Sequence, residues 1–320
     1  NPFCEVWFDN IVVKSLDEED VTPTPTFSPT ITPIPTQTPI PLYPIVFLPG
    51  LGASINYEEM FLGIPNPNGW KMTPGANLYK NILNIFSNDS NFYLFNFDWR
   101  KSVSENANNL YKFIENKINS SPKKVNLLGH SLGGLVARTC VQTKPNNCFV
   151  NKLITVGSPQ LGAVDAYPAL EGGEIWRSGP VKMLYELLVH YYQRPGETRR
   201  ETIQRIAPVL FDLLPTFNYL IKNDKEILPN ELTIKNNLLP NISEVVSIQP
   251  FTKAIIGRNC STVEKIILEE PNFIDNLLGD WLDGKPKDKI YTLEGDTSVL
   301  VKSASFGTSN IESYIYDLDH

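Results

Sequence analysis

The residues best suited to covalent chemistry form one pentapeptide, Gly129-His130-Ser131-Leu132-Gly133. An apolar run, Val125-Asn126-Leu127-Leu128, precedes it, and a helical pattern, Leu135-Val136-Ala137-Arg138, follows. Strand, G-x-S-x-G and helix in that order is the context of a nucleophile elbow, a sharp turn that lifts a serine hydroxyl above the carboxyl ends of a sheet. Glycine is required at 129 and 133 because a Cβ at either place would collide where strand and helix approach. A serine hydroxyl is a weak nucleophile at neutral pH and needs a base, normally a histidine oriented by a carboxylate.

Only three histidines compete for that role. His130 adjoins the serine, with its side chain expected to point away from the hydroxyl, and His190 falls in a helical stretch. His320 follows the last strand, where the base belongs in the order Ser, Asp/Glu, His. The acid should lie between serine and base. Asp296, in a Gly-Asp-Thr turn after a strand, is preferred to Asp280, Asp283 and Asp288, which lie before that strand. The catalytic candidates are therefore Ser131, Asp296 and His320. The Gly-bounded turn Pro49-Gly50-Leu51-Gly52 follows an early strand, where one oxyanion donor is usually placed. Leu51 and Leu132 are the candidate backbone N–H donors. This chemistry needs neither metal nor cofactor, and none of the four cysteines forms a C-x-x-C pair. Cys140 and Cys148 flank a short loop and could be joined across it.

Short apolar strands alternate with helical patterns around these residues. Strands are expected at 44–48, 92–97, 125–128 and 152–156, with helices near 76–86 and 102–119. That alternation implies an α/β fold, a mostly parallel sheet with helices on both faces. From about 163 to 288 the strand rhythm fades, and broken helical segments suggest a helical cap inserted over the strand ends. The sheet is expected to resume at 289–293 and to finish at 314–318. Residues 55–75 carry the hydrophobes Tyr57, Met60, Phe61, Leu62, Ile64 and Trp70, either packed or forming a lid that meets lipid.

The 42% apolar content suits a globular protein, and the net charge of −7 argues against nucleic acid and against simple electrostatic attachment to anionic membranes. No run reaches the roughly 18 apolar residues of a membrane span. Residues 22–41 are a Pro/Thr-rich linker, and such linkers usually join modules of secreted or surface proteins. Residues 1–21 before it read as the end of an upstream β-rich module, and Trp7-Phe8-Asp9-Asn10-Ile11-Val12-Val13 is similar to the last strand of a carbohydrate-binding jelly roll. The hydrolytic domain would then occupy 42–320. The chain starts at Asn1 without Met and reads as a portion of a longer protein.

A wider set of motifs resembles the lecithin:cholesterol acyltransferase family. It comprises Pro49-Gly50-Leu51-Gly52, Asp98-Trp99-Arg100, the elbow with Gly134, Gly157-Ser158-Pro159, Gly295-Asp296-Thr297-Ser298-Val299, His320, and the stretch Pro208–Pro215. Asp98-Trp99-Arg100 discriminates most, since general lipases share the elbow without it. The resemblance implies the α/β-hydrolase fold, a Ser131-Asp296-His320 triad, Leu51 and Leu132 as oxyanion donors, and lipid or phospholipid acyl esters as substrates, met at a membrane or lipid surface. The acid motif departs from the family's usual Gly-Asp-Gly-Thr-Val-Pro. A deacylase of lipid-anchored proteins and a non-catalytic surface-binding module on the same scaffold are the alternatives.

Overall fold

The computed structural model describes residues 43–75, 77–118, 123–176 and 179–320. The expected upstream strand and the Pro/Thr linker lie outside the described residues. The chain enters through β1 (Ile45–Leu48), a small antiparallel ladder of β2 (Ser54–Ile55) with β3 (Lys71–Met72), α1 (Lys80–Ile85) and β4 (Phe92–Leu94). It continues through α2 (Val103–Lys117), β5 (Val125–His130), α3 (Leu132–Thr143) and β6 (Val150–Val156). Four helices follow, α4 (Ala166–Gly172), α5 (Gly179–Tyr192), α6 (Arg199–Ile206) and α7 (Val209–Asp212), then β7 (Leu220–Lys222) and β8 (Lys225–Ile227). The remainder is β9 (Thr252–Arg258), β10 (Thr262–Glu269), α8 (Phe273–Leu278), β11 (Lys285–Thr292), α9 (Val301–Ala304) and β12 (Glu312–Asp317).

Six strands in the order β12-β9-β6-β5-β1-β4 form one parallel sheet. Alternate side chains of β1 serve opposite faces. Val46 and Leu48 join Leu110, Ile114 and Leu135 of α2 and α3 in the main core, while Phe47 packs with Tyr79, Ile82 and Leu83 at α1. Helices therefore cover both faces, and the fold is that of an α/β-hydrolase. In α2 the buried positions Val103, Ala107, Leu110 and Ile114 recur at helical spacing, and the Ser102 side chain caps the helix by accepting from the Glu105 N–H at 3.2 Å.

The segment expected to be a helical cap is only partly so. Helices α4 to α7 do occupy 166–212, but β9 returns to the main sheet between β6 and β12 well before residue 288. Strand β11, expected as a main-sheet strand near 289–293, instead pairs antiparallel with β10. With β7 and β8 they make a separate four-stranded sheet of order β11-β10-β7-β8. The cause is local: β9 is a short apolar run interrupted by Gly257, and β11 is charged and half-exposed. Neither carries the buried aliphatic run that marks a central parallel strand. Cys140 and Cys148 form a disulfide across the turn after α3, and Cys260 is buried.

The 281–284 turn straps this second unit onto α4. The Trp281 N–H donates to the Glu171 backbone carbonyl at 2.7 Å, and the Tyr167 hydroxyl donates to the Gly284 carbonyl at 2.6 Å. The Glu171 carboxyl is buried beneath it, and burial, reinforced by nearby Asp283, pushes its pKa up from 4.5 to about 7. A carboxyl raised on folding stabilises fully below its unfolded pKa and loses that contribution as pH rises through the folded value. The window is therefore about pH 4.5 to 7, and the full loss is on the order of 3 kcal/mol. Urea unfolding at pH 5 and pH 8 should show Glu171→Gln gaining stability relative to the parent as pH rises. An equal difference between the two chains at both pH values would contradict this assignment.

Candidate active site

Strand β5 ends at His130, and Ser131 follows with φ 51° and ψ −125° before α3 begins at Leu132. This left-handed, strained conformation at a non-glycine residue persists because the surroundings over-determine it. The Ser131 N–H donates to the Val156 carbonyl at 2.8 Å. A Cβ on Gly129 would run into the backbone of Gly134, and one on Gly133 into the carbonyl oxygens of Leu48 and Pro49. The elbow is thus wedged between its own helix and the end of β1.

The turn after β1 lies directly against Ser131, since a Cβ on Gly50 would come within 2.9 Å of Ser131 Cβ. Its position is fixed by Tyr79, whose hydroxyl oxygen accepts the Gly50 N–H at 2.8 Å and lies 2.8 Å from His130 Nδ1. Burial, reinforced by neighbouring His320, holds the His130 pKa well below its ordinary value, and burial drives the Tyr79 phenol up. Both groups are neutral, so the Tyr79 O–H donates to Nδ1 while its oxygen receives Gly50; the reverse arrangement would strand the phenolic proton. His130 therefore points to Tyr79 and not to the Ser131 hydroxyl. Leu51 and Leu132 both line the cavity beside Ser131.

The other two candidates converge on this serine from distant parts of the chain. His320 Nε2 is 2.8 Å from Ser131 Oγ, and His320 Nδ1 is 2.9 Å from Asp296 Oδ2. The buried Asp296 closes a turn on its other oxygen, Oδ1, which accepts the Ser298 and Val299 N–H groups at 3.1 and 2.7 Å. Gly157, at φ 54°, leaves room for the pair: a Cβ there would press to 3.1 Å from Asp296 Oδ2 and 3.2 Å from His320 Nδ1. The competitors lie elsewhere. His190 is exposed on α5, and the Asp283 carboxylate accepts from the backbone and hydroxyl of Thr233.

Beside Ser131 opens a cavity of about 910 Å³, part of it open to solvent. Its walls are overwhelmingly apolar, drawn largely from α4, α5, α6 and α7, with Ala166, Leu188, Ile203 and Val209 among them. Trp99 and Arg100 of the Asp98-Trp99-Arg100 tripeptide form part of this wall, and the tripeptide ties it together. Arg100 and Asp98 make a bidentate ion pair with two bonds of 2.8 Å. Trp99 Nε1 donates to the Ser54 carbonyl at 2.9 Å, and the Arg100 carbonyl receives the Val209 N–H of the cap at 3.1 Å. Asp212 in the same cap reaches back to accept the Val103 N–H at the start of α2. In the 55–75 region, Met60 is buried whereas Tyr57, Leu62 and Ile64 are exposed. Its single π-helical turn, Glu58–Leu62, is held to the end of α5 by the hydroxyls of Tyr191 and Tyr192, which donate to the Phe61 and Met60 carbonyls.

The profile of the lecithin:cholesterol acyltransferase family matches residues 76–252, more than half of the chain. The chain belongs to the lecithin:cholesterol acyltransferase family. The matched span holds the elbow, the Asp98-Trp99-Arg100 tripeptide and the helical cap. Among curated proteins, none matches the chain at a significant level. Solved structures similar to this family member include a mature Bacillus licheniformis lipase, at 15% identity over 90% of this chain and 89% of that one, with a TM-score of 0.43. EstA from Clostridium botulinum is 14% identical over 87% and 82% of the two chains, with a TM-score of 0.44. The Staphylococcus hyicus lipase is 14% identical over 89% of each, with a TM-score of 0.42. No helix among the described residues is long and apolar enough to cross a membrane.

Proposed function

We propose that this chain is a lipid acyl-ester enzyme, a phospholipase or lipase or an O-acyltransferase, working through an acyl-enzyme on Ser131. The observation that carries the reading is the relay Asp296–His320–Ser131, with contacts of 2.9 and 2.8 Å, at the edge of an apolar cavity. Asp296 accepts the Nδ1 proton of His320, which leaves Nε2 to take the Ser131 proton as Oγ attacks the ester carbonyl. The N–H groups of Leu51 and Leu132 receive the negative charge that develops on the carbonyl oxygen, each worth about 3–4 kcal/mol of barrier. His320 then returns the proton to the departing alcohol, and the acyl group stays on Ser131. Water attacks next, giving a free fatty acid, or a second alcohol attacks, giving a new ester. The acyl chain lies along the apolar wall of α4, α5, α6 and α7.

The Cys140–Cys148 disulfide and the Pro/Thr linker at 22–41 support an extracellular or cell-surface setting, with 42–320 as the catalytic unit of a modular protein. The test uses phosphatidylcholine vesicles with and without an added long-chain alcohol. Fatty acid or new ester should form with the parent chain and not with Ser131→Ala. Acyl release that is equal in both chains, or absent from both, would overturn the reading.

A further inference from the structure

One residue beside the acid carries a conformation its side chain resists. Thr297 has φ 78°, and among the described non-glycine residues with positive φ it is the β-branched one. Branching at Cβ makes the left-handed region a genuine outlier, and an outlier persists only where other contacts enforce it. Two contacts do so here. The Thr297 N–H donates to Thr262 Oγ1 at 2.8 Å, and the Thr297 hydroxyl donates to Asp319 Oδ1 at 2.6 Å. The same Asp319 oxygen accepts the backbone N–H of His320 at 2.8 Å. Two adjacent residues of the acid turn therefore grip two adjacent residues of the base segment. Asp296 holds the His320 ring, and Thr297 holds Asp319, which holds the His320 backbone.

We propose that Thr297 is a positioning residue that clamps the segment bearing His320 against the acid turn through its bond to Asp319. The clamp rests on the reading of His320 as the base. Thr297 stands outside the wall of the apolar cavity, so its effect falls on the alignment of the imidazole and not on the hold on substrate. Small misplacements of a catalytic group cost rate steeply, which is why a bond outside the reacting atoms matters.

The experiment compares Thr297→Gly, Thr297→Ser, Asp319→Ala and the Thr297→Gly/Asp319→Ala double variant in vesicle turnover and thermal melting, with Ser131→Ala as reference. Thr297→Gly relieves the backbone strain and removes the hydroxyl. It should melt no lower than the parent, keep its KM and lose about tenfold in kcat. Thr297→Ser keeps the hydroxyl and should stay within about twofold of the parent kcat. Asp319→Ala should match Thr297→Gly, and the double variant should lose no more than either single one. A parent-like kcat in Thr297→Gly, an equal loss in Thr297→Ser, or losses that multiply in the double variant would overturn the clamp alone. Turnover that survives in Ser131→Ala overturns the active-site reading and the clamp with it.

Discussion

His320→Ala is expected to slow ester turnover by roughly ten-thousand- to million-fold while leaving the fold and substrate affinity near those of the parent. The size follows from what the imidazole alone supplies. His320 Nε2 lies 2.8 Å from Ser131 Oγ, where the proposed mechanism needs its base, and the next imidazole, His130, is turned to Tyr79. Burial also keeps His130 neutral and engaged, so it cannot substitute without breaking its bond to Tyr79, the residue that holds the Gly50 turn. His190 is exposed on the cap helix and out of play. The check is kcat and KM on a soluble ester beside a melting curve. A loss below about a hundredfold with an unchanged melting temperature would remove His320 from the mechanism.

Asp296→Asn should cost about ten-thousandfold in kcat, again with the fold retained. The cost follows from how the carboxylate is shared. Its Oδ1 accepts two backbone N–H groups, from Ser298 and Val299, and an asparagine would keep its carbonyl oxygen there. The amide NH2 must then face His320 Nδ1. A donor in that place forces Nδ1 to accept, moves the ring proton to Nε2, and leaves Ser131 facing an N–H that cannot take its proton. Because the turn keeps its own hydrogen bonds, the melting temperature should change little. Thermal unfolding together with kcat separates this outcome from simple loss of structure, and near-normal kcat in a well-folded Asn variant would exclude Asp296 as the orienting acid.

Much of the candidate site was legible because its residues sit in local patterns. The elbow at 129–133 announces itself through strand, glycines and helix, and having only three histidines narrows the search for a base to positions 130, 190 and 320. The parallel sheet was legible at β1, β5 and β6, whose aliphatic runs lie among helical patterns. What escaped were relations without a local signature. Tyr79 lies 29 residues from Gly50 and 51 from His130, and nothing in its surroundings marks a tyrosine that fixes a turn. Strand β9 was hidden inside the expected cap because a seven-residue strand with Gly257 near its end has no strong period. Glu171 looks like an ordinary helical glutamate until the 281–284 turn closes over it. Thr297 showed as a departure in a motif, and its meaning depends on Asp319, 22 residues further on.

The proposed function rests on Ser131 as the nucleophile. The most direct measurement treats the chain with a fluorophosphonate probe and locates the adduct by peptide mass mapping. One adduct per chain is expected, on Ser131, absent from Ser131→Ala and strongly slowed in His320→Ala. An adduct that persists in a folded Ser131→Ala chain, or one mapped to another serine, would contradict it.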